Sequence, residues 1–266
     1  MKYFRLFALS MHRAGYIKSR CVVWFIMSLF VPSIICMYWV AAIRENPILS
    51  KSFSQGTIVT YYVTTITLSA LLVSHLKEHI MRLDIQNGEM ARYLLRPLSY
   101  YWHNTLFHEM PFRILQGGYG IMVFTILRIF FPYLFTLHID MATLVLGCIS
   151  GIMGFFICAN LEMILGFLAF WFFDLKLIHN AYEVIFILLG GLNMPLYFFP
   201  KILSDIAYLT PFPSVVYIPT LIITRYVPHD QVYSMLGQQL IWLFITSIGY
   251  QILWKRGIRK FTAAGI

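Results

Sequence analysis

Long apolar runs alternate along the chain with short polar stretches. Cys21 to Ile43 is 23 residues without a charge, and Thr57 to Leu76 is 20. A third run starts near Pro111 and reaches about Phe131; its Arg128 has a stem long enough to carry the charge to the headgroups. Met141 to Phe173 spans 33 residues with one ionisable group, Glu162. Two more runs lie at roughly Leu177 to Pro195 and about Val232 to Trp254. Twenty helical residues cover about 30 Å, one hydrocarbon thickness, so these lengths predict helices that cross a membrane.

The 33-residue run would be about 50 Å as a straight helix, enough to cross twice or once at a tilt. Charge decides. The leader Met1 to Arg20 carries Lys2, Arg5, Arg13, Lys18 and Arg20 with no acid, and the tail after Trp254 carries Lys255, Arg256, Arg259 and Lys260. Two purely basic ends belong on the cytoplasmic side, which requires an even number of crossings and a single pass for the long run. Six crossings then leave only Arg44, Lys51, Arg128, Lys201 and Arg225 of the twenty Lys and Arg outside. The fold class expected is an all-α membrane protein with six transmembrane helices, residues 1–266 forming one transmembrane domain.

Composition agrees: 59% of the residues are hydrophobic, 12% are charged and the mean hydropathy is +0.73, whereas a soluble domain carries about a quarter charged residues. A formal charge of +9 raises nucleic acid as a partner. The basic residues flank apolar runs and form no stripe on a polar face, so the lipid bilayer is the expected partner and nucleic acid is not. Cys21, Cys36, Cys148 and Cys158 sit inside apolar runs with no paired spacing and read as small packing residues. The first run is too long for the core of a cleaved signal and reads as a retained span. In residues 1–20, Phe4, Phe7, Ala8 and Met11 share one face of a helix suited to the headgroup layer; the alternative is a solvated basic tail.

Residues 77–113 interrupt this pattern with charge of both signs. Lys77, Arg82, Arg92, Arg96 and Arg113 are nearly cancelled by Glu78, Asp84, Glu89 and Glu109. A lipid anchor would be one-sidedly basic. Balanced charge, an Asn87-Gly88 turn signal and a helix from Glu89 to Leu95 stopped by Arg96-Pro97 predict a cytoplasmic knob shaped to dock on a soluble protein. Glu89 and Arg92 would pair at i,i+3, Leu94 and Leu95 would make the apolar contact, and Pro97 would fix the exit. The plain alternative is a solvated loop.

Between the last two runs, residues 196–230 form the second irregular segment. Pro200 opens a helix of about ten residues with Ile202, Leu203, Ile206 and Leu209 on one face, Pro211-Phe212-Pro213 breaks it, and Ser214 can cap a second of about a dozen. Both are too short to cross, so they predict paired half-helices that enter the outer leaflet and return. A loop lying on the membrane is the alternative. Phe198, Phe199 and Phe212 beside Pro200, Pro211 and Pro213 could form an outer gate. Ten aromatics near predicted span ends, Tyr61, Tyr62, Tyr100, Tyr101, Trp102, Tyr197, Tyr208, Tyr217, Tyr226 and Trp254, read mostly as an interfacial belt.

Several pieces in order, Asn87-Gly88-Glu89 with Leu94-Leu95-Arg96-Pro97-Leu98, Leu168-Ala169-Phe170-Trp171, Pro195-Leu196-Tyr197-Phe198-Phe199-Pro200, Pro211-Phe212, and Gly257 through Ala264-Gly265, resemble a six-helix branch of the type-2 ABC exporter permeases. The resemblance covers almost the whole chain; at Gly190-Gly191 the chain departs from the expected Ser-Gly. It implies an interfacial N-terminal helix, a coupling helix between spans two and three formed by Asn87, Gly88, Glu89, Arg92, Leu94, Leu95, Arg96 and Pro97, and paired outer half-helices. It also implies a dimer with a second permease, a copy or a relative, on two ABC ATPase subunits. The location expected is the plasma membrane of a prokaryote, with both termini cytoplasmic.

No G-x-x-x-x-G-K-[ST] loop occurs, so no cofactor is expected in this chain, and ATP and Mg would sit on the partner subunit. Two other chemistries remain to be weighed. His75-x-x-Glu78-His79 matches the inverted zinc-peptidase order, with Glu109 as the nearby acid for a third ligand, and interfacial histidines as the plainer reading. An ATP-independent channel is the other rival. Glu162, a lone carboxyl near mid-membrane, would line the translocation path and attract cationic amphiphiles, or would bond Asn160 or a neighbouring helix. A largely apolar path suits a lipophilic or amphipathic substrate.

Overall fold

The computed structural model describes residues 2–16, 18–45, 54–73, 77–136 and 140–261, and among them every regular element is helical. The longer helices are α1 (Lys2–Tyr16), α2 (Lys18–Glu45), α3 (Gln55–Leu72) and α4 (Lys77–Gln86). Two short turns follow, α5 (Ala91–Leu94) and α6 (Tyr100–Trp102), then a π-helical stretch, His103–Glu109, that runs into α7 (Met110–Phe130). The rest are α8 (Met141–Phe167), α9 (Lys176–Leu189), α10 (Lys201–Tyr208), α11 (Tyr217–Ile223) and α12 (His229–Gly257).

Local chemistry sets the ends. Ser54 accepts the Thr57 N–H at 3.1 Å to start α3, and Asp140 accepts the Thr143 N–H at 2.9 Å to start α8. The π-helical stretch has a cause in Pro111. A proline ring collides with the carbonyl four residues before it, and the wider π turn, in which the Met110 N–H bonds the Thr105 carbonyl, moves that carbonyl aside. The 141–173 run is one unbroken helix to Phe167 followed by a 3-10 turn, Leu168–Phe170.

Helix directions follow from side-chain pairs. Ser150 bonds Gln239, Asn160 bonds Thr246 and Ser247, and Phe167 packs on Trp254, so α8 and α12 run parallel. Thr60 meets Thr136, Thr67 meets Gly120, and Val73 meets Arg113, so α3 and α7 run antiparallel. One end of the bundle is a core of Met81, Ile85, Met90, Tyr100, Met163 and Phe167, with Trp254 against it. The other gathers Ile43, Ile58, Tyr61, Tyr62, Leu196 and Tyr217.

By length and composition, two helical runs among the described residues suffice to cross a membrane, Tyr100–Phe130 and Met141–Phe170. The 14 residues of α9 cover roughly 21 Å, less than a hydrocarbon core. Glutamines in the middle of α12, at Gln238 and Gln239, lower its apolar character, and both turn out to be used.

Candidate functional site

The knob is built on a tight reversal after α4. Gly88 adopts φ 74°, the left-handed region that favours glycine, and its N–H bonds the Ile85 carbonyl while the Met90 N–H closes on Asp84 at 2.9 Å. The chain then turns through α5, shorter than the Glu89 to Leu95 helix expected. Glu89 and Arg92 pair at 2.7 Å, at the i,i+3 spacing. Leu94 and Leu95 point outward, Leu95 with 88% of its surface exposed. Asn87, Arg96 and Pro97 share that exposed surface.

Beneath it the knob is anchored. Met81, Ile85 and Met90 are fully buried against Met163, Phe167 and Phe170 from the ends of α8 and its 3-10 turn. Gln86 Nε2 donates to the Phe173 carbonyl. Asp84 is buried; it accepts the Tyr100 hydroxyl at 2.9 Å and lies 3.6 Å from Arg92, so Arg92 is shared between a buried and an exposed acid. Burial pushes the Asp84 carboxyl above its ordinary range, and Tyr100 and Arg92 draw it only partly back. Tyr93 carries Arg92 and Arg96 within 5.0 and 5.1 Å of its ring, holding both cations at the rim. The sequence pattern singled out the exposed residues and missed Asp84, Tyr93 and Tyr100; the only available signal was an acid on the inward face of α4.

Glu162 is buried on α8, with the Cys158 thiol at 3.8 Å. Asn160 is bonded elsewhere: it accepts the Tyr101 hydroxyl at 2.8 Å and donates to Thr246 and Ser247 at 3.2 and 3.0 Å. Asn160 thus ties α6, α8 and α12 together, while Glu162 faces the Tyr182 side of α9. Of the zinc pattern, His75 and the side chains of Glu78 and His79 lie outside the described residues. Glu109 makes a buried ion pair with Arg113 at 3.5 Å, and the Arg113 guanidinium donates to the Val73 carbonyl at the end of α3. Among the described residues no three His, Cys, Asp or Glu converge as a metal would require.

At the opposite end, α10 and α11 flank Pro211-Phe212-Pro213 as expected, but α11 is 7 residues and not about a dozen. Ser214 lies in the 3-10 turn Phe212–Ser214 and caps nothing, because α11 starts three residues later. The two short helices differ in setting. Ile202 of α10 and Leu209, the residue just after it, are 78% and 77% exposed, whereas Tyr217 to Ile222 of α11 are all buried against α3 and α8. Gly154 makes room for this: a Cβ there would strike the Val215 carbonyl oxygen.

The aromatics expected to form an outer gate divide into two groups. Phe198 stacks on Trp39 at 4.4 Å, and Phe199 joins the same cluster. Phe212 instead packs on Tyr182 and Phe186, both at 5.9 Å. Pro200 opens α10, and Pro213 is buried in the 3-10 turn. The interfacial belt also needs correction, since Tyr61, Tyr62, Tyr100, Tyr101 and Tyr217 are buried. Tyr61 and Tyr62 donate to the Gly191 and Asn193 carbonyls, both at 2.6 Å, pinning the loop after α9 onto α3. On the same side Arg225, with φ 53°, pairs with Asp140 and donates to Thr143 at 2.9 Å. The Thr143 hydroxyl and N–H, then Arg225, hold the Asp140 carboxyl well below the usual carboxylate range.

Residues 29–265 match the family described as ABC-2 family transporter protein. No curated protein matches the chain.

Proposed function

The chain belongs to the ABC-2 family of transporter proteins, membrane-embedded transport subunits, and from that we propose that it is the permease subunit of an ATP-driven exporter, moving a lipophilic or amphipathic substrate outward. Separate ABC ATPase subunits bind ATP and Mg and supply the hydrolysis, and a second permease completes the path. Six crossings place both termini in the cytoplasm of a prokaryotic cell, with the protein in the plasma membrane. The parallel α8–α12 pair and the antiparallel α3–α7 pair support that count, because spans four and six share a direction and spans two and three oppose.

The observation that carries the proposal is the knob. An apolar tip, Leu94 and Leu95, stands on a short helix braced by Glu89–Arg92 and rooted in a buried core shared with α8 and α12. A load applied to the tip is therefore passed to two long helices and is not absorbed by a loop. The buried second half-helix supports a re-entrant segment over a loop on the surface, since broken backbone at membrane depth requires protein on all sides. Glu162 lines the path in this proposal, and Phe198, Phe199 and Phe212 flank its outer exit.

The test is co-purification from native membranes. Wild-type chain should bring down a subunit with a G-x-x-x-x-G-K-[ST] loop and hydrolyse ATP, while the purified permease alone should not. Glu89→Ala with Arg92→Ala, and separately Leu95→Glu, should weaken capture of that subunit without unfolding the permease. Unchanged capture in both variants would remove the knob from the mechanism.

A further inference from the structure

The break between α10 and α11 leaves backbone carbonyls without helical partners. Pro219 has no N–H to give the Val215 carbonyl, and among the described residues no backbone N–H reaches the Ser214 carbonyl. Two adjacent glutamines of α12 fill part of the gap. Gln239 is fully buried; its Nε2 donates to the Ser214 carbonyl at 2.8 Å and to the Ser150 carbonyl at 3.2 Å, while its Oε1 accepts the Ser150 hydroxyl at 2.8 Å. Gln238 Nε2 donates to the Tyr208 carbonyl at 2.5 Å, on the last residue of α10. One dipeptide therefore grips the chain on both sides of Pro211-Phe212-Pro213.

The same helix reaches the knob. Tyr250, Leu253 and Trp254 of α12 pack into the core that holds Met81, Ile85 and Met90, about 18–24 Å along the axis from Gln238. We propose that Gln238 and Gln239 are positioning residues that clasp the outer hinge to α12, so that a displacement imposed at the knob arrives at the Pro211–Pro213 break through this helix. The proposal rests on the exporter reading for the source of the displacement, while the clasp itself stands without it.

Hydrogen exchange of the full chain in nanodiscs, alone and in complex with its ATPase subunits, tests both parts. Without nucleotide, Gln238→Leu with Gln239→Leu should speed exchange of amides 209–224 at least tenfold and leave the middle of α8 near wild type. Gln239→Glu adds a readout that loss of packing would not give. A protonated carboxyl can still donate to the Ser214 carbonyl and a carboxylate cannot, so hinge exchange, divided by intrinsic rates, should approach wild type as pH falls and accelerate as it rises. In the complex, ATP with Mg should change exchange at both the knob and the hinge of the wild type, but only at the knob of the double variant. Unchanged hinge exchange without nucleotide, a uniform increase across α8 and α12, a Gln239→Glu variant indifferent to pH, or a hinge response to ATP that survives the double substitution would each overturn the clasp. A wild-type complex showing no response to ATP even at the knob would count against the exporter reading instead, with the nucleotide-free comparison still deciding the clasp.

Discussion

Tyr100→Phe isolates the buried carboxylate under the knob. The substitution removes one oxygen and leaves the ring, which stacks on Trp254 at 5.8 Å and meets the edge of Tyr93 at 5.1 Å, so packing should largely cancel. What is lost is the 2.9 Å hydrogen bond to Asp84, whose surface is 5% exposed. A bond to a charged group contributes about 1.5–3 kcal/mol and one between neutral groups about 0.5–1.5 kcal/mol, so the cost depends on which form of Asp84 is present. Burial raises the folded-state value above 3.8, so the folded chain binds this proton more tightly than the unfolded chain. The stability Asp84 contributes is then whole below the unfolded value and is lost as pH climbs through the raised folded one. Removing the hydroxyl, which lowers that value, extends the loss to higher pH. Equilibrium unfolding in mixed micelles should show a deficit of about 1 kcal/mol near pH 4 that grows toward about 2–3 kcal/mol near pH 8. A deficit that is flat with pH, or largest in acid, would refute the assignment of Asp84 as a buried ionisable pivot.

Three further outcomes follow from the opposite end. Asp140→Asn should remove a contribution that the wild type holds at neutral pH. Because the folded carboxyl titrates below its usual range, that contribution is present above the unfolded value and disappears as the solution is acidified, so unfolding curves of variant and wild type should converge in acid. Ser214→Ala should be neutral or stabilising by up to about 1 kcal/mol, since the buried hydroxyl has no hydrogen-bond partner among the described residues; a clear loss of stability would restore a capping role. Gly154→Ala should destabilise by about 1–3 kcal/mol, because the added carbon meets the rigid carbonyl of Val215 and not a side chain that can turn away, and the thermal midpoint reports it.

The parts legible in the sequence and those that were not divide along a physical line. Apolar length and the placement of Lys and Arg are summed properties, and they located the long helices and the unbroken α8 because transfer free energy adds residue by residue. The Glu89–Arg92 pair and the Gly88 turn were legible for a related reason, since i,i+3 geometry and left-handed φ are local. Asp84, Asn160, Gln238 and Gln239 were not, although each is a polar residue on or beside an apolar face. Their value comes from groups 16 to 89 positions away, Tyr100 for Asp84, Tyr101 and Thr246 for Asn160, Ser150 for Gln239, and neither helical periodicity nor local pairing rules reach that far. The tyrosines were misassigned to the membrane interface on the same account. A Tyr near a span end suits the headgroups by itself, but Tyr61 and Tyr62 face carbonyls of a broken loop some 130 residues on, and a carbonyl buried away from water needs such a donor. The amides and phenols gather where the backbone leaves its helices, so in this chain buried polar side chains mark the irregular segments on which a change of shape would have to turn.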